Sequence, residues 1–219
     1  MAAAMIAVTF ALPQESQDFR PAPGEEVLLA HTGVGPAAAA QSLAALLAAQ
    51  RPRMLISTGF AGGLDPRLAT GDLLIATNFS APALIAKSRA LLAGDPHAFF
   101  GALTSQPQVA ASVAEKSALA AATGALAVDM ETASIAAACA RAGIPLLAVR
   151  AISDAALEPL PVPFAEWFDL AAQRPRPLAL VRWLARHPAQ ILPFARFVRG
   201  LTPARRAFTR FVSALIRAS

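Results

Sequence analysis

Four side chains near the ends of apolar runs carry the chemistry available to this chain: Glu15, Glu131, Arg150 and Asp154. The apolar run 126–128 stops at Asp129 and Glu131, and a second run, 146–149, leads to Arg150, Ser153 and Asp154. A carboxylate accepts hydrogen bonds from hydroxyl groups, and it transfers protons when its surroundings bring its pKa near the working pH. Two carboxylates and an arginine converging on one sheet edge suit a polar small molecule; the competing reading is ordinary charges at strand ends.

Those groups need elements to position them. Residues 132–141 are rich in Ala and are stopped by Gly143 and Pro145, which predicts a helix. Strand, helix and strand in that order predict a right-handed crossover, with the two strands parallel and their acidic ends at the carboxyl edge of the sheet. Upstream, residues 5–11 read as a buried strand, and Pro13 turns the chain into a loop that presents Glu15. Residues 27–31 predict a second strand, with Thr32-Gly33-Val34-Gly35-Pro36 as its turn into a helix over 37–50. Gly33 lets backbone approach a ligand closely, and the amino end of the helix attracts phosphate or ribose oxygens. Residues 54–57 predict a third strand. The stretch that follows, including Gly59, Phe60, Ala61, Gly62 and Gly63, predicts a loop whose amides line a pocket. A strand over 73–77 follows Asp72, which reads as structural; Asp129 reads as structural or as a support to the residues that touch the ligand. Ser112 and Glu115 form a capping box that starts a helix over 112–122. Residues 78–103 show no clear pattern.

Val-Asp-Met-Glu at 128–131, the small-residue helix after it, and Val-Arg-Ala-Ile-Ser-Asp at 149–154 resemble the nucleoside phosphorylase and nucleosidase superfamily. The general likeness is to the methylthioadenosine/S-adenosylhomocysteine nucleosidases. Thr32-Gly33-Val34-Gly35-Pro36 and the 57–64 stretch followed by Gly71-Asp72 agree with it in order and spacing. The resemblance implies roles. Glu15 activates the attacking water, Glu131 holds the ribose hydroxyls, and Met130 packs on the ribose face. Asp154, positioned by Ser153, protonates the departing purine at N7. Arg150 orients the acidic groups or the nucleophile, with a structural ion pair as its alternative role. Residues 104–109 correspond to the segment that contacts the base. Gln108 stands where relatives often place a stacking aromatic, and Val109 offers backbone hydrogen bonds. Phe60 replaces a small polar residue and implies a more apolar pocket. The interval from Gly71-Asp72 to Glu131 is shorter than in those nucleosidases by about one loop and strand.

At 219 residues, 56% hydrophobic and 15% charged, the chain suits a globular fold and argues against disorder. No apolar stretch has the length and continuity of a membrane span, and the start lacks a basic leader segment, so a cytoplasmic protein is expected. Cys139 stands alone, and His31, His97 and His187 are scattered, so neither a disulfide framework nor a metal site is expected. The net charge of +5 is uneven: residues 1–169 hold nine basic and fourteen acidic groups, and ten arginines follow. That tail, 174–217, resembles the carboxyl end of the hopanoid-associated phosphorylases, as do residues 124–131 and the shortened middle. Such a resemblance implies an adenine nucleoside with a hopanoid at its 5′ carbon. The apolar residues 194, 197, 198, 208, 211, 212 and 215 recur at helical spacing, which predicts short helices over 178–185, 188–198 and 203–216. A basic amphipathic tail lies on an anionic bilayer at the inner face of the membrane, or packs its apolar stripe on the domain. No nucleic-acid motif accompanies it.

These readings combine into a three-layer α/β/α nucleoside phosphorylase-like fold with a mixed central sheet. A catalytic domain spans 1–170, and a basic helical extension spans 171–219. The expected activity is cleavage of a purine N-glycosidic bond in a 5′-substituted adenine nucleoside, by water. No cofactor is expected, phosphate being a co-substrate if the enzyme is a phosphorylase. Phosphorylases of the related hexameric class have arginines in the first loop and just before the Gly-rich stretch. Here those places hold Pro13-Gln14-Glu15 and Ser57-Thr58, which favours hydrolysis. Phosphorolysis and a catalytically idle nucleoside-binding protein are the alternatives. The resemblance also implies a homodimer.

Overall fold

The computed structural model describes residues 5–219; residues 1–4, on which part of the leader reading rests, lie outside it. The first half runs β1 (Ile6–Phe10), α1 (Pro13–Ser16), β2 (Val27–His31), α2 (Pro36–Ala49), β3 (Met54–Gly63), β4 (Leu73–Ala76), α3 (Pro82–Leu91), β5 (Ala98–Gly101) and β6 (Leu103–Ser105). The second half runs α4 (Val113–Thr123), β7 (Ala127–Asp129), α5 (Thr132–Ala142), β8 (Leu146–Asp154), α6 (Phe164–Trp167), β9 (Phe168–Asp169), β10 (Arg174–Pro175), α7 (Pro177–Arg186) and α8 (Ile191–Arg217).

A mixed sheet with the order β2-β1-β3-β8-β4-β5 forms the middle layer, and β7 and β6 attach beside the far end of β3. Alternation along β1 sets the faces. Ile6, Val8 and Phe10 point to the α8 side, with Phe208, Phe211, Val212 and Leu215, while Ala7 points to the α2–α5 side, with Ala39, Leu43, Ile135 and Ala138. This is the three-layer arrangement expected.

Three local expectations are corrected. Residues 58–63 are strand, not loop: β8 pairs with β3 from Leu55↔Leu146 to Gly62↔Asp154, so the stretch is hydrogen-bonded backbone with a bulge between Ala61 and Gly62. β7 and β8 share the sheet but are not parallel, because β7 pairs antiparallel with β3 while β8 pairs parallel with it. The second and third tail helices are one: α8 runs through Gly200 and Pro203 for 27 residues. Interior Pro costs a helix about 3 kcal/mol. Ala204, Phe208, Val212 and Leu215 are fully buried beyond it, which offsets that cost. Gly200 is a contact and not a break; a β-carbon there would lie 2.9 Å from Cγ2 of Thr70. The capping box at Ser112 and Glu115 and the helix at 177–186 form as read.

The long third strand creates the opening on which the site depends. β1 pairs with β3 only from Ile6↔Met54 to Thr9↔Ser57, and β7 pairs only at Gly62 and Gly63. β1 runs parallel to β3 and β7 antiparallel, so their carboxyl ends approach each other across residues 58–61. On that side of β3 the backbone has no strand partner.

Candidate active site

Glu15 fills part of this gap. Pro13 starts α1, and Glu15 lies on its first turn, where the chain folds back under the end of β1. Its Oε2 accepts from the amides of Ala11 at 2.7 Å and Leu12 at 3.1 Å, and the carboxylate also accepts from the backbone amide of Phe60. Burial pushes the carboxyl above its ordinary value of 4.5; those amides and the Arg150 charge oppose the rise. Close packing demands glycine opposite: a β-carbon on Gly59 would lie 3.2 Å from Oε1 of Glu15, and one on Gly62 would lie 3.3 Å from Oδ2 of Asp154. These glycines make room for carboxylates; their amides do not form the expected loop cradle.

Glu131 arrives from the other side, just past β7 and before α5. Its Oε1 accepts from the amide of Gly35 at 2.6 Å. Burial, with the Asp129 charge beside it, pushes its carboxyl up to about 7. The amino end of α2 was expected to attract ligand oxygens, but protein groups occupy it. Glu131 takes Gly35, and Gln173 closes on Val34 with both ends of its amide, at 2.7 and 2.9 Å. Gln173 holds a left-handed backbone, with φ of 50°, in the turn between β9 and β10. Gly33 consequently stays outside the cavity: its amide donates to Ala11, and the Gln173 side chain lies against it.

Asp154 ends β8. Its Oδ1 accepts from Oγ of Ser153 at 2.5 Å, and its Oδ2 meets Nζ of Lys116 at 2.5 Å. Arg150 lies deeper and is 2% exposed. Its Nε donates to Asp129 at 2.9 Å, Nη1 to the carbonyls of Ser57 and Val149, and Nη2 to the hydroxyls of Ser57 and Thr132. All five guanidinium donors are thereby engaged. Asp129 also accepts short bonds from the Ser105 and Thr132 hydroxyls, which agrees with its reading as structural.

A cavity of about 430 Å³ connects these groups, within the usual ~300–1,000 Å³ of small-molecule sites. Glu15, Phe60, Ala61, Gly62, Gln108, Val109, Met130, Glu131, Ser153 and Asp154 all line it. Arg150 and Gly59 border instead a cavity of about 20 Å³ beneath, together with Glu15, Glu131, Thr9 and Thr58. The hydroxyls of Thr9 and Thr58 are buried there without a hydrogen-bond partner in the chain. No group of three His, Cys, Asp or Glu side chains suited to a metal ion occurs among the described residues.

Sequence reasoning missed the apolar lining contributed by Phe164, Trp167, Phe168, Phe194, Phe197 and Leu201. The helical spacing of Phe194 and Phe197 marked an apolar stripe, but nothing in the sequence aimed it at the cavity. Gln173 gave no signal. Lys116 gave a faint one: among nineteen basic residues, only it and Lys87 are lysine.

Comparison with known proteins shows the family and the fold. The 5′-methylthioadenosine/S-adenosylhomocysteine nucleosidase of Glaesserella parasuis serovar 5 is 32% identical, over 71% of this chain and 79% of that protein. The nucleosidase of the same name from Helicobacter pylori shares the fold, with a TM-score of 0.72 at 19% identity over 98% of both chains. Futalosine hydrolase from Helicobacter pylori strain 26695 gives the same TM-score, identity and coverage. Residues 19–181 match the phosphorylase superfamily, a span that takes in Glu131, Arg150 and Asp154. The chain therefore belongs to the phosphorylase superfamily and is an enzyme of its purine nucleosidase and phosphorylase kind.

Proposed function

We propose that this enzyme hydrolyses the N-glycosidic bond of an adenine nucleoside that carries an apolar group at its 5′ carbon. The observation that carries the reading is one cavity lined both by Glu15, Glu131 and Asp154 and by six large aromatic or aliphatic side chains. In this reading Asp154 delivers a proton to N7 of the base as the bond to the sugar breaks, so that the base leaves neutral. General acid catalysis of this sort contributes typically ~100- to 10,000-fold. Glu131 and Met130 hold the ribose, and Glu15 takes the proton from the attacking water. Gln108 and Val109 border the base.

Three features support water over phosphate. The two buried cations are committed: Arg150 has all five donors engaged, and Nζ of Lys116 faces Asp154 and the carbonyls of Ala155 and Glu158. A phosphate dianion would meet two carboxylates, Glu15 and Glu131, without a free cation. The cavity beneath, about 20 Å³ with two unpartnered hydroxyls, suits one water.

The aromatic wall supports a bulky lipid-like 5′ substituent, of which an adenosylhopane is one example. The extension 171–219 contributes Phe194, Phe197 and Leu201 to that wall, and it presents Leu178, Val181, Ile191 and Leu192 outward. We read its outward face as a peripheral contact with the inner surface of a membrane, made by a cytoplasmic homodimer. No helix among the described residues is long and apolar enough to cross a membrane.

Adenine release from adenosine, methylthioadenosine and 5′-alkylthio adenosines of increasing chain length, each with and without phosphate, tests the reading. The expected result is phosphate-independent release whose kcat/KM rises with alkyl length. A strict phosphate requirement would make the enzyme a phosphorylase, and a preference for adenosine would remove the lipid-like substrate.

A further inference from the structure

We infer that Lys116 is a positioning residue for Asp154, and that its ammonium group acts on the departure of the base rather than on the binding of the sugar. The inference rests on the N-glycosidase reading above. Lys116 projects from α4, an element that contributes nothing else to the catalytic carboxylates, and it is 1% exposed. Lysine is almost never so deeply buried unless its charge is paired and its donors are satisfied. Here Nζ has three acceptors: the carbonyls of Ala155 and Glu158, each at 2.7 Å, and Oδ2 of Asp154 at 2.5 Å. An ammonium has three N–H groups, so none remains for substrate.

Asp154 is consequently gripped from two sides, with Ser153 on Oδ1 and Lys116 on Oδ2. Gly62 leaves space for the carboxylate against β3. The carboxyl plane is set before substrate enters, and Asp154 lines the cavity. For cleavage Asp154 must first take a proton from solvent; the electron pair of the C1′–N9 bond then moves onto the base as that proton passes to N7. Negative charge then develops on the Asp154 carboxylate. A buried ammonium 2.5 Å away stabilises that charge without reorganising, as fixed charges do in a water-poor site. Its two carbonyl bonds also pin the chain just after β8, so that Nζ stays in place. The salt bridge therefore acts on proton transfer, a step that only a poor leaving group requires: it fixes the carboxyl group and stabilises the carboxylate that transfer leaves behind.

That last point separates this role from a merely structural one. A 4-nitrophenyl riboside with the same 5′ substituent loses a stable phenolate and needs no proton, whereas adenine needs one. We expect Lys116→Met to lower kcat on the adenine nucleoside by about 100-fold or more, the scale of losing one preorganised charge-stabilising group. KM and the aryl riboside rate should change less than about 5-fold, and Asp154→Asn should show the same split. Lys116→Arg should recover part of the lost rate. Ser153→Ala, which loosens the other side of the carboxyl, should give a weaker version of the split if the Met variant does not fold. Equal losses on both substrates, or no loss on adenine, would overturn the inference. A parent enzyme that releases neither adenine nor nitrophenol would overturn the N-glycosidase reading, and this one with it.

Discussion

Glu131 is the residue whose ionisation the fold alters most legibly. Its carboxyl stands at about 7, against an ordinary value of 4.5, because burial and Asp129 disfavour the charge. The folded chain therefore holds this proton more tightly than the unfolded chain does. Its contribution to stability is complete below pH 4.5 and is lost as pH rises through 7. The full shift corresponds to about 3 kcal/mol, and partial solvent exposure reduces it to roughly 1–2 kcal/mol. Glu131→Gln, whose amide oxygen can still accept from Gly35, should remove this pH dependence. Its melting temperature relative to the parent should rise between pH 5 and pH 8 by about 2–6 °C for a chain of this size. An identical gap at both pH values would contradict the raised pKa. On the proposed role of Glu131 in holding the ribose, the same variant should also lose activity.

At the scale of the element, β3 decides where chemistry can happen. Its partners β1 and β7 stop short of each other, and Gly59 on the open stretch and Gly62 at its edge leave room for the Glu15 and Asp154 carboxylates. Gly62→Ala places a methyl group 3.3 Å from Asp154 Oδ2, tighter than ordinary contact. The strand can accept alanine, but the carboxylate must move. We expect kcat to fall at least about 10-fold, since small misplacements of reacting groups are costly. Urea unfolding should show a change of less than about 1 kcal/mol, within the range of most single substitutions. A variant with parental kcat would show that the clamp on Asp154 tolerates displacement.

On the scale of the whole molecule, α8 belongs both to the core and to the cavity. Its later turns place Phe208 against Phe10 and Phe60, with ring centroids 5.9 and 5.6 Å apart, while its earlier turns bring Phe194, Phe197 and Leu201 to the cavity lining. Phe208→Ala should destabilise the protein by about 3–5 kcal/mol in urea unfolding, the usual cost of emptying a buried phenylalanine site. A loss below about 1 kcal/mol would mean that α8 is not a working part of the core. Removing the whole tail would confound any membrane assay with unfolding, so the outward face must be altered by substitution. Leu178 and Val181 are 81% and 64% exposed on α7, on a helix that also carries Arg182 and Arg186. An apolar face flanked by arginines binds anionic bilayers through both forces. The parent should sediment with phosphatidylglycerol vesicles and much less with phosphatidylcholine vesicles, and Leu178→Glu with Val181→Glu should abolish the difference. Equal sedimentation of parent and variant would remove the membrane contact.

What the sequence determined by itself is local. Apolar runs, Pro and Gly stops and the Ser112–Glu115 capping box mark most strands and helices, because propensity and capping act over a few neighbouring residues. The chemistry-bearing positions at the ends of β7 and β8 were legible for the same reason, aided by a family likeness that assigned them roles. Glu15 was not separable from Glu25 and Glu26 by composition; only the fold brings it to the free edge of β3. Strand direction, the extension of β3 through residues 58–63 and the continuity of α8 across Pro203 were also out of reach. Each depends on which distant segment supplies hydrogen bonds or apolar contact. Tertiary structure alone decided that Gln173 and Glu131 occupy the amino end of α2, and that Arg150 has no donor left for an anion. It also decided that Lys116 reaches Asp154 from a helix thirty-eight positions earlier in the chain. Burial creates these pairings, since a charge removed from water must find a partner wherever the fold has placed one.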